Sequence, residues 1–133
     1  MLSLIPLLIV PFVAFNAGLA GMFGTGADPF AAVVMSFSMM SGGRLQVTAG
    51  DLILAVGLMM LFFEVLKSTR SNRASVVDHV LSTGLFIAYL VEFLLVSGAA
   101  HPVFLLLTLM ALIDVLAGFS VSIRSAGRDV TFN

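Results

Sequence analysis

Three carboxylic acids lie inside long apolar stretches of this chain, namely Glu64, Glu92 and Asp114. A charged side chain is costly in apolar surroundings, so an acid retained there is a candidate site for a proton or a cation. The competing interpretation is structural, because a hydrogen-bonded buried acid also fixes how helices pack. For Glu64 the structural interpretation is favoured, since Lys67 follows three residues later and an ion pair between the two explains the acid.

The other two acids have predicted partners. Glu92 falls about 6 Å inside its apolar stretch at 1.5 Å per residue, and Asn16 of the first stretch is expected at a similar depth. We therefore predict a hydrogen bond between Asn16 and Glu92. Asp114 lies almost in the middle of the fourth stretch, where Tyr89 of the third stretch is expected to donate a hydrogen bond to it. The favoured interpretation of Asp114 is a buried acid that fixes helix register, and the alternative is a proton or cation site.

The third apolar stretch carries its polar residues on one side. Asp78, Ser82, Tyr89 and Glu92 follow a heptad-like spacing, which places them on one face of a helix. Ser75 followed by Asp78 resembles a capping box and predicts that this helix begins near residue 76. A helix cap by itself explains Asp78 without any function.

These side chains are positioned by elements that the composition identifies as membrane helices. Of the 133 residues, 60% are hydrophobic and only 10% are charged. A soluble domain of this size cannot bury so much apolar surface, whereas a bilayer accepts it as a solvent. The sequence therefore predicts an all-α membrane protein, a single domain with a four-transmembrane-helix bundle at residues 2–22, 51–67, 76–97 and 103–123.

The first two of these helices depart from a regular span. The first resembles a signal peptide, but no Lys or Arg precedes the apolar run, and we therefore predict a span. Pro6 and Pro11 lie within it, and each removes a backbone hydrogen bond and invites a kink. The second is shorter than the roughly 20 residues that cross a bilayer, so it is expected to tilt little or to thin the bilayer.

The distribution of Lys and Arg predicts the orientation. Of the six such residues, only Arg44 lies outside the connection between the second and third helices and the tail at 124–133. Because cytoplasmic loops are enriched in Lys and Arg, both termini and that connection are predicted in the cytoplasm. The expected location is a bacterial cytoplasmic (inner) membrane. The tight connection at 97–102 makes the third and fourth helices antiparallel neighbours.

Residues 23–50 form the largest predicted segment outside the membrane, on the non-cytoplasmic side. Alternating apolar and polar residues on both sides of a glycine pair predict a β-hairpin. A three-residue turn at 41–43, with Gly43 in the left-handed conformation, is preferred because it opposes apolar residues to each other. Met39 then faces Leu45, and Phe37 faces Val47. These four residues form a candidate interaction surface, and the apolar face is expected to rest on the helix ends.

Two alternatives compete with this hairpin. A two-residue turn at Gly42-Gly43 would oppose Met39 to the polar Gln46, and for that reason it is disfavoured. A short helix in place of the first strand would be capped by Asp28 and would carry Pro29 in its first turn.

Several classes of function are excluded or left without support. The net charge of −1 provides no basic field for nucleic acid, and the absence of Cys removes disulfides and thiolate chemistry. No phosphate-binding loop, dinucleotide fingerprint, hydrolase motif or metalloprotease motif occurs, so we expect no catalytic residue, no metal and no cofactor. His79 and His101 stand alone at opposite interfaces, where solvation explains each of them.

The leading expectation is therefore a small non-enzymatic membrane protein whose partners are the lipid bilayer and other membrane proteins. It would be an accessory component of a larger membrane complex or a self-associating bundle, that is, a homo-oligomer. The alternative is a small oligomeric proton or cation channel or transporter that uses Asp114 with Glu92 or Glu64. A membrane-embedded enzyme is the third hypothesis, although no nucleophile, base and orienting group can be placed together from the sequence.

Overall fold

The computed structural model describes residues 5–69 and 73–132, with side chains described at 5–69, at 76–120 and at Ile123. This part of the chain is mostly helical and contains four α-helices and one two-stranded sheet. Single 3₁₀ turns at Pro29–Ala31 and Ser97–Ala99 precede the sheet and the last helix. In chain order the elements are α1 (Ile9–Leu19), β1 (Val33–Ser38), β2 (Arg44–Thr48), α2 (Ala49–Ser68), α3 (Arg73–Leu95) and α4 (Pro102–Phe132).

Three of the helices are long and apolar enough to cross a membrane. The apolar segments are Ala49–Ser68 in α2, Val76–Leu95 in α3 and Pro102–Ser120 in α4. Twenty residues rise about 30 Å, which matches the hydrocarbon thickness of a bilayer. The prediction that the second helix is too short was therefore wrong. Its N-terminus lies earlier than predicted because Thr48 and Asp51 form a capping box, each side chain accepting the other's backbone N–H.

Helix α1 is shorter than the predicted span at 2–22, of which residues 2–4 lie outside the described residues. Its 11 residues rise about 16 Å, roughly half of the hydrocarbon thickness. The helix begins after Pro6, whose carbonyl accepts the N–H of Ile9 at 3.1 Å. It ends where Gly21 adopts a φ of 96°, a conformation that glycine allows and that closes a helix C-terminus.

Helix α4 is the central helix of the bundle. Half of its apolar segment is buried, against 28% in α2 and 17% in α3, and it packs against both of these helices. Helix α2 comes this close to α4 because residue 57 is glycine. A Cβ added at Gly57 would lie 2.9 Å from Cδ2 of Leu107, which is closer than van der Waals contact. The buried apolar core includes Leu8, Phe15, Phe30, Ile53, Tyr89, Phe104, Leu107 and Ala111.

Two helix boundaries differ from the predictions. Helix α3 begins at Arg73, so Ser75 lies inside the helix and the predicted capping box with Asp78 does not mark its start. Helix α4 continues to Phe132, although residues 124–133 were expected to form a tail. No proline interrupts this segment, so a helix that is already formed can propagate through it.

The hairpin is present, and its register differs from the predicted one by two residues. Phe37 lies opposite Leu45, and Met35 lies opposite Val47. The turn spans three residues, as predicted, but one position earlier: the N–H of Met39 donates to the carbonyl of Gly43 at 2.8 Å. Gly42 rather than Gly43 takes the left-handed conformation, with a φ of 88°. Because a shift of two residues preserves the side-chain alternation, the apolar residues still share one face.

The hairpin does not rest on the ends of the helices, contrary to the prediction. All six residues of β1 are exposed, and only the base of β2 near Thr48 is partly covered. The alternative of a short helix in place of the first strand was wrong, since β1 is present. Only the single turn Pro29–Ala31 is helical there, and the side chain of Asp28 accepts its Phe30 N–H at 3.0 Å. Phe30 from this turn is buried and stacks on Phe15 with ring centroids 4.3 Å apart.

Candidate functional site

A group of polar side chains lies towards the C-terminal end of α2, at the end of the bundle opposite to the hairpin. We call it the carboxylate cluster and define it as Glu64, Lys67, Asp78, Ser82 and Asp114. Helix α2 supplies the first two residues, α3 the next two and α4 the last. Apart from Lys67, each member is no more than 6% exposed. Polar groups that are so deeply buried require partners, and their partners determine what the cluster can do.

Lys67 is the centre of the hydrogen bonds in this cluster. Its Nζ contacts Oε1 of Glu64 at 3.1 Å, Oδ1 of Asp78 at 3.2 Å and the backbone oxygen of Ile5 at 2.9 Å. A lysine ammonium has three N–H donors, so these three acceptors satisfy it. The predicted pair between Glu64 and Lys67 is therefore present. Asp78, which was explained as a helix cap, is instead the second ion-pair partner of Lys67.

Glu64 also links α2 to the start of α1. Its Oε1 accepts the backbone N–H of Leu7 at 2.6 Å, and its Oε2 lies 3.5 Å from the hydroxyl of Ser82. Leu7 lies two residues before the first residue of α1. Glu64 thus fastens the segment that leads into α1 to the end of α2. Sequence spacing did not predict this contact, because Leu7 and Glu64 are 57 residues apart.

Tyr89 and Asp114 are not paired, contrary to the prediction. The hydroxyl of Tyr89 donates to the backbone oxygen of Leu8 at 2.8 Å. Asp114 lies instead beside Ser82, close enough to Glu64, Asp78 and Lys67 for their charges to act on it. Ser82 precedes Tyr89 by seven residues, so Asp114 lies about two helical turns from the level at which Tyr89 was expected to meet it.

Asn16 and Glu92 lie near each other and away from the cluster, but the hydrogen bond predicted between them is not among those of the described residues. Nδ2 of Asn16 donates instead to the backbone oxygen of Phe12 at 2.9 Å. Oε2 of Glu92 is buried and has no hydrogen-bond partner among the described residues. Glu92 follows Ser82 by ten residues on the same helix, a rise of about 15 Å. Only Glu64 and Asp114, of the three candidate acids, therefore belong to one site.

The two histidines have specific surroundings rather than the simple interfacial solvation that was expected. His101 Nδ1 accepts the N–H of Val103 at 3.1 Å, so the ring proton of a neutral imidazole is on Nε2, which lies 3.1 Å from Oδ1 of Asp28. This contact joins the turn before β1 to the start of α4. His79 packs against Phe119, with ring centroids 4.6 Å apart, and its Nε2 is buried without a partner in the described part of the chain.

The chemistry that this arrangement can support is limited. Three carboxyl groups and one ammonium group share this buried site, and the carboxyl groups of Glu64 and Asp78 contact the ammonium group directly. Within residues 5–69 and 73–132, no group of three or more His, Cys, Asp or Glu side chains is arranged to hold a metal ion. The hydroxyl of Ser82 is directed to a carboxylate of the cluster, as in a structural hydrogen bond.

The candidate interaction surface lies at the opposite end of the bundle. Phe37, Met39 and Leu45 are 48%, 51% and 49% exposed, and Val47 is partly buried. We call this surface the apolar hairpin face and define it as Met35, Phe37, Met39, Leu45 and Val47.

Comparisons with known proteins identify no match to this chain among protein-family models, curated proteins or solved structures.

Proposed function

We propose that this protein is a small non-enzymatic integral membrane protein that serves as a component of a larger membrane complex or as a self-associating bundle. The observation that best supports this proposal is the way in which the buried polar groups are used. Lys67, Glu64 and Tyr89 each bond to an element distant in the chain. A polar group that is saturated by its own protein stabilises the fold and offers no free donor or acceptor to a substrate.

We also propose that the chain crosses the membrane four times, with both termini on the cytoplasmic side of a bacterial inner membrane. The two ends of α1 support a fourth crossing. Near its start, Leu7 bonds to Glu64 of the carboxylate cluster. At its end, Leu19 packs so closely against Gly98, in the connection from α3 to α4, that a Cβ at Gly98 would lie 2.9 Å from it. Residues 5–19 thus extend from the carboxylate cluster to the connection between α3 and α4.

The absence of Cys from the chain makes this topology directly testable. Single substitutions Ser3→Cys, Ser38→Cys, Ser68→Cys and Ser97→Cys would be labelled in intact cells with a membrane-impermeant maleimide. We expect labelling at positions 38 and 97, and labelling at 3 and 68 only after permeabilisation. Labelling of position 3 together with position 38 in intact cells would contradict the fourth crossing.

The assembly state tests the functional part of the proposal. We expect native mass spectrometry from nanodiscs to show more than one copy of the chain, or a second protein that stays bound during purification. A single copy with a measurable activity of its own would contradict the proposal.

The carboxylate cluster favours a second candidate, a small oligomeric proton or cation channel or transporter that uses Asp114 with Glu64. Glu64 and Asp78 pair with the single ammonium group there, and Asp114 lies nearby without such a pair, so full ionisation would leave uncompensated negative charge in a buried site. A proton or a cation would offset that charge. Glu92, which was an alternative partner of Asp114, lies too far along α3 to take part.

Flux into liposomes distinguishes this candidate from the first. If the protein conducts, Asp114→Asn should reduce proton or cation flux, because it removes an ionisable group of the cluster while preserving its size. Asp51→Asn is the matched control, since Asp51 is exposed at the hairpin end and Asn keeps an oxygen that can accept the N–H of Thr48. Equal flux in wild type and Asp114→Asn, or no flux in wild type, would contradict this candidate.

A further inference from the structure

The hairpin is amphipathic, and its apolar side has no partner within the described chain. On one side lie the residues of the apolar hairpin face, with Phe37 opposite Leu45 and Met35 opposite Val47. The other side is polar, since Ser36 lies opposite Gln46 and Ser38 lies opposite Arg44. Met40 at the tip of the turn is fully exposed. Large exposed apolar surface with a polar border is characteristic of a surface that contacts something else.

The position of the hairpin restricts what can cover this face. Strand β2 ends at Thr48 and leads directly into α2. The capping box between Thr48 and Asp51 holds this junction through two hydrogen bonds. From Thr48 to Arg44 the strand extends about 13 Å at 3.3 Å per residue. The apolar hairpin face therefore lies within about 13 Å of the start of a helix that can cross the membrane, and it reaches the headgroup layer when the hairpin inclines towards the membrane surface.

The exposed area argues against a second copy of the chain as the occupant. Side chains of this size present about 200 Å² when free, so those that are about half exposed contribute about 100 Å² each. Together with the fully exposed Met40 the face offers about 600 Å². A stable protein interface needs about 800 Å² from each partner. Lipid has no such minimum, because any apolar side chain that leaves water for the interfacial layer is stabilised.

The charge of the hairpin is also suited to a membrane surface. Arg44 is the only charged residue in residues 29–50, and it lies on the polar side of the hairpin, opposite Ser38. An arginine at this level can place its guanidinium among lipid phosphates while the apolar residues point towards the acyl chains.

We propose that the apolar hairpin face is seated in the interfacial layer of the bilayer, with phospholipid as its occupant. This inference rests on the proposed function only in requiring that the chain is embedded in a membrane. The hairpin then acts as a lateral anchor that sets the depth and rotation of α2.

Tryptophan fluorescence tests this placement, because the chain contains no Trp. Phe37→Trp would be compared with the matched variant Ser36→Trp, whose side chain points to the opposite side of β1. Each full-length protein would be reconstituted in phosphatidylcholine vesicles with and without brominated acyl chains. We expect Phe37→Trp to show a blue-shifted emission that brominated lipid quenches, and Ser36→Trp to be quenched by aqueous acrylamide instead.

A third variant shows whether the bundle is in the membrane at all, independently of where the hairpin lies. Leu58 lies in the apolar segment of α2 and is 57% exposed, so Leu58→Trp reports whether the bundle is inserted. Quenching of Leu58→Trp but not of Phe37→Trp by brominated lipid would overturn the lipid-seated hairpin alone. Absence of quenching in both would overturn the membrane location. A rapid Phe37→Cys disulfide between copies, without quenching of Phe37→Trp by brominated lipid, would identify a second copy as the occupant and overturn the inference.

Discussion

Replacing Lys67 with Met tests the structural interpretation of the carboxylate cluster most directly. The substitution preserves much of the apolar stem and removes the ammonium group that bonds to Glu64, Asp78 and the oxygen of Ile5. Both carboxylates would then be buried without the cation, and the start of α1 would lose one of its links to α2. We expect a loss of folding free energy and weaker attachment of residues 5–8.

The size of that loss follows from burial. Removal of one partner from a buried ion pair costs about 3–5 kcal/mol, because the remaining charge is left unpaired. The side chain of Lys67 is 16% exposed, whereas that of Glu64 is fully buried, so water compensates part of the cost at the lysine. We therefore expect Lys67→Met to lower the free energy of unfolding by about 2–4 kcal/mol.

Equilibrium unfolding in mixed micelles with increasing dodecyl sulfate provides the measurement. A double-mutant cycle with Glu64→Gln isolates the pair, since Gln retains an acceptor for the N–H of Leu7 but removes the charge. We expect the double variant to be more stable than the sum of the two single losses implies. Arg44→Met is the control, and as an exposed substitution it should change the free energy of unfolding by less than about 0.5 kcal/mol.

Two results would refute this reasoning. A loss no larger for Lys67→Met than for Arg44→Met would show that the cluster contributes little to stability. Strict additivity of Lys67→Met and Glu64→Gln would show that the contact between their side chains carries no coupling energy, and the cluster would then be better explained by function than by packing.

Three further substitutions probe other contacts. Tyr89→Phe should lower the free energy of unfolding by about 1 kcal/mol, because it removes the hydrogen bond to Leu8 and keeps the ring packing. A loss smaller than the error of the unfolding curve would contradict that contact. Gly50→Ala should cost about 1–3 kcal/mol in the same assay, because its Cβ would lie 3.1 Å from the backbone oxygen of Phe30. His101→Ala should accelerate hydrogen exchange at the amides of Phe30 and Val103, which lose their anchor; unchanged exchange there would exclude a role of His101 in holding the hairpin.

The sequence predicted most reliably the features that depend on local pattern. Apolar stretches identified the three long helices, and residue alternation identified the hairpin and its apolar side. Turn position was predicted less well, because two neighbouring glycines can each adopt the left-handed conformation and the pattern does not choose between Gly42 and Gly43. The early end of α1 had a visible signal in Gly21, a residue that commonly closes a helix, but the apolar character of residues 19–23 obscured it.

The contacts of the candidate site were predicted only where they are local. The pair of Glu64 and Lys67 follows from spacing along one helix. Tyr89 was assigned to Asp114 by comparing depths in two predicted spans, and an error of about two turns in the depth of Asp114 was enough to assign the wrong partner. The actual partner of Tyr89 is a backbone oxygen of Leu8. That oxygen also accepts the N–H of Phe12 at 3.4 Å within α1, so it uses a second lone pair for Tyr89, and a hydropathy pattern carries no information on such a contact.

Asp114 is the residue that separates the two functional proposals. Apolar burial does not drive helices together in lipid as it does in water, so polar contacts and close packing specify the arrangement. Lys67 provides such contacts to Glu64 and Asp78 but is not within ion-pair distance of Asp114. Asp114 therefore contributes less to the links that hold α1, α2 and α3, and its replacement by Asn should leave the free energy of unfolding within about 1 kcal/mol of wild type. A purely structural protein would show little effect of Asp114→Asn in any assay, whereas a conducting one would lose flux and remain folded.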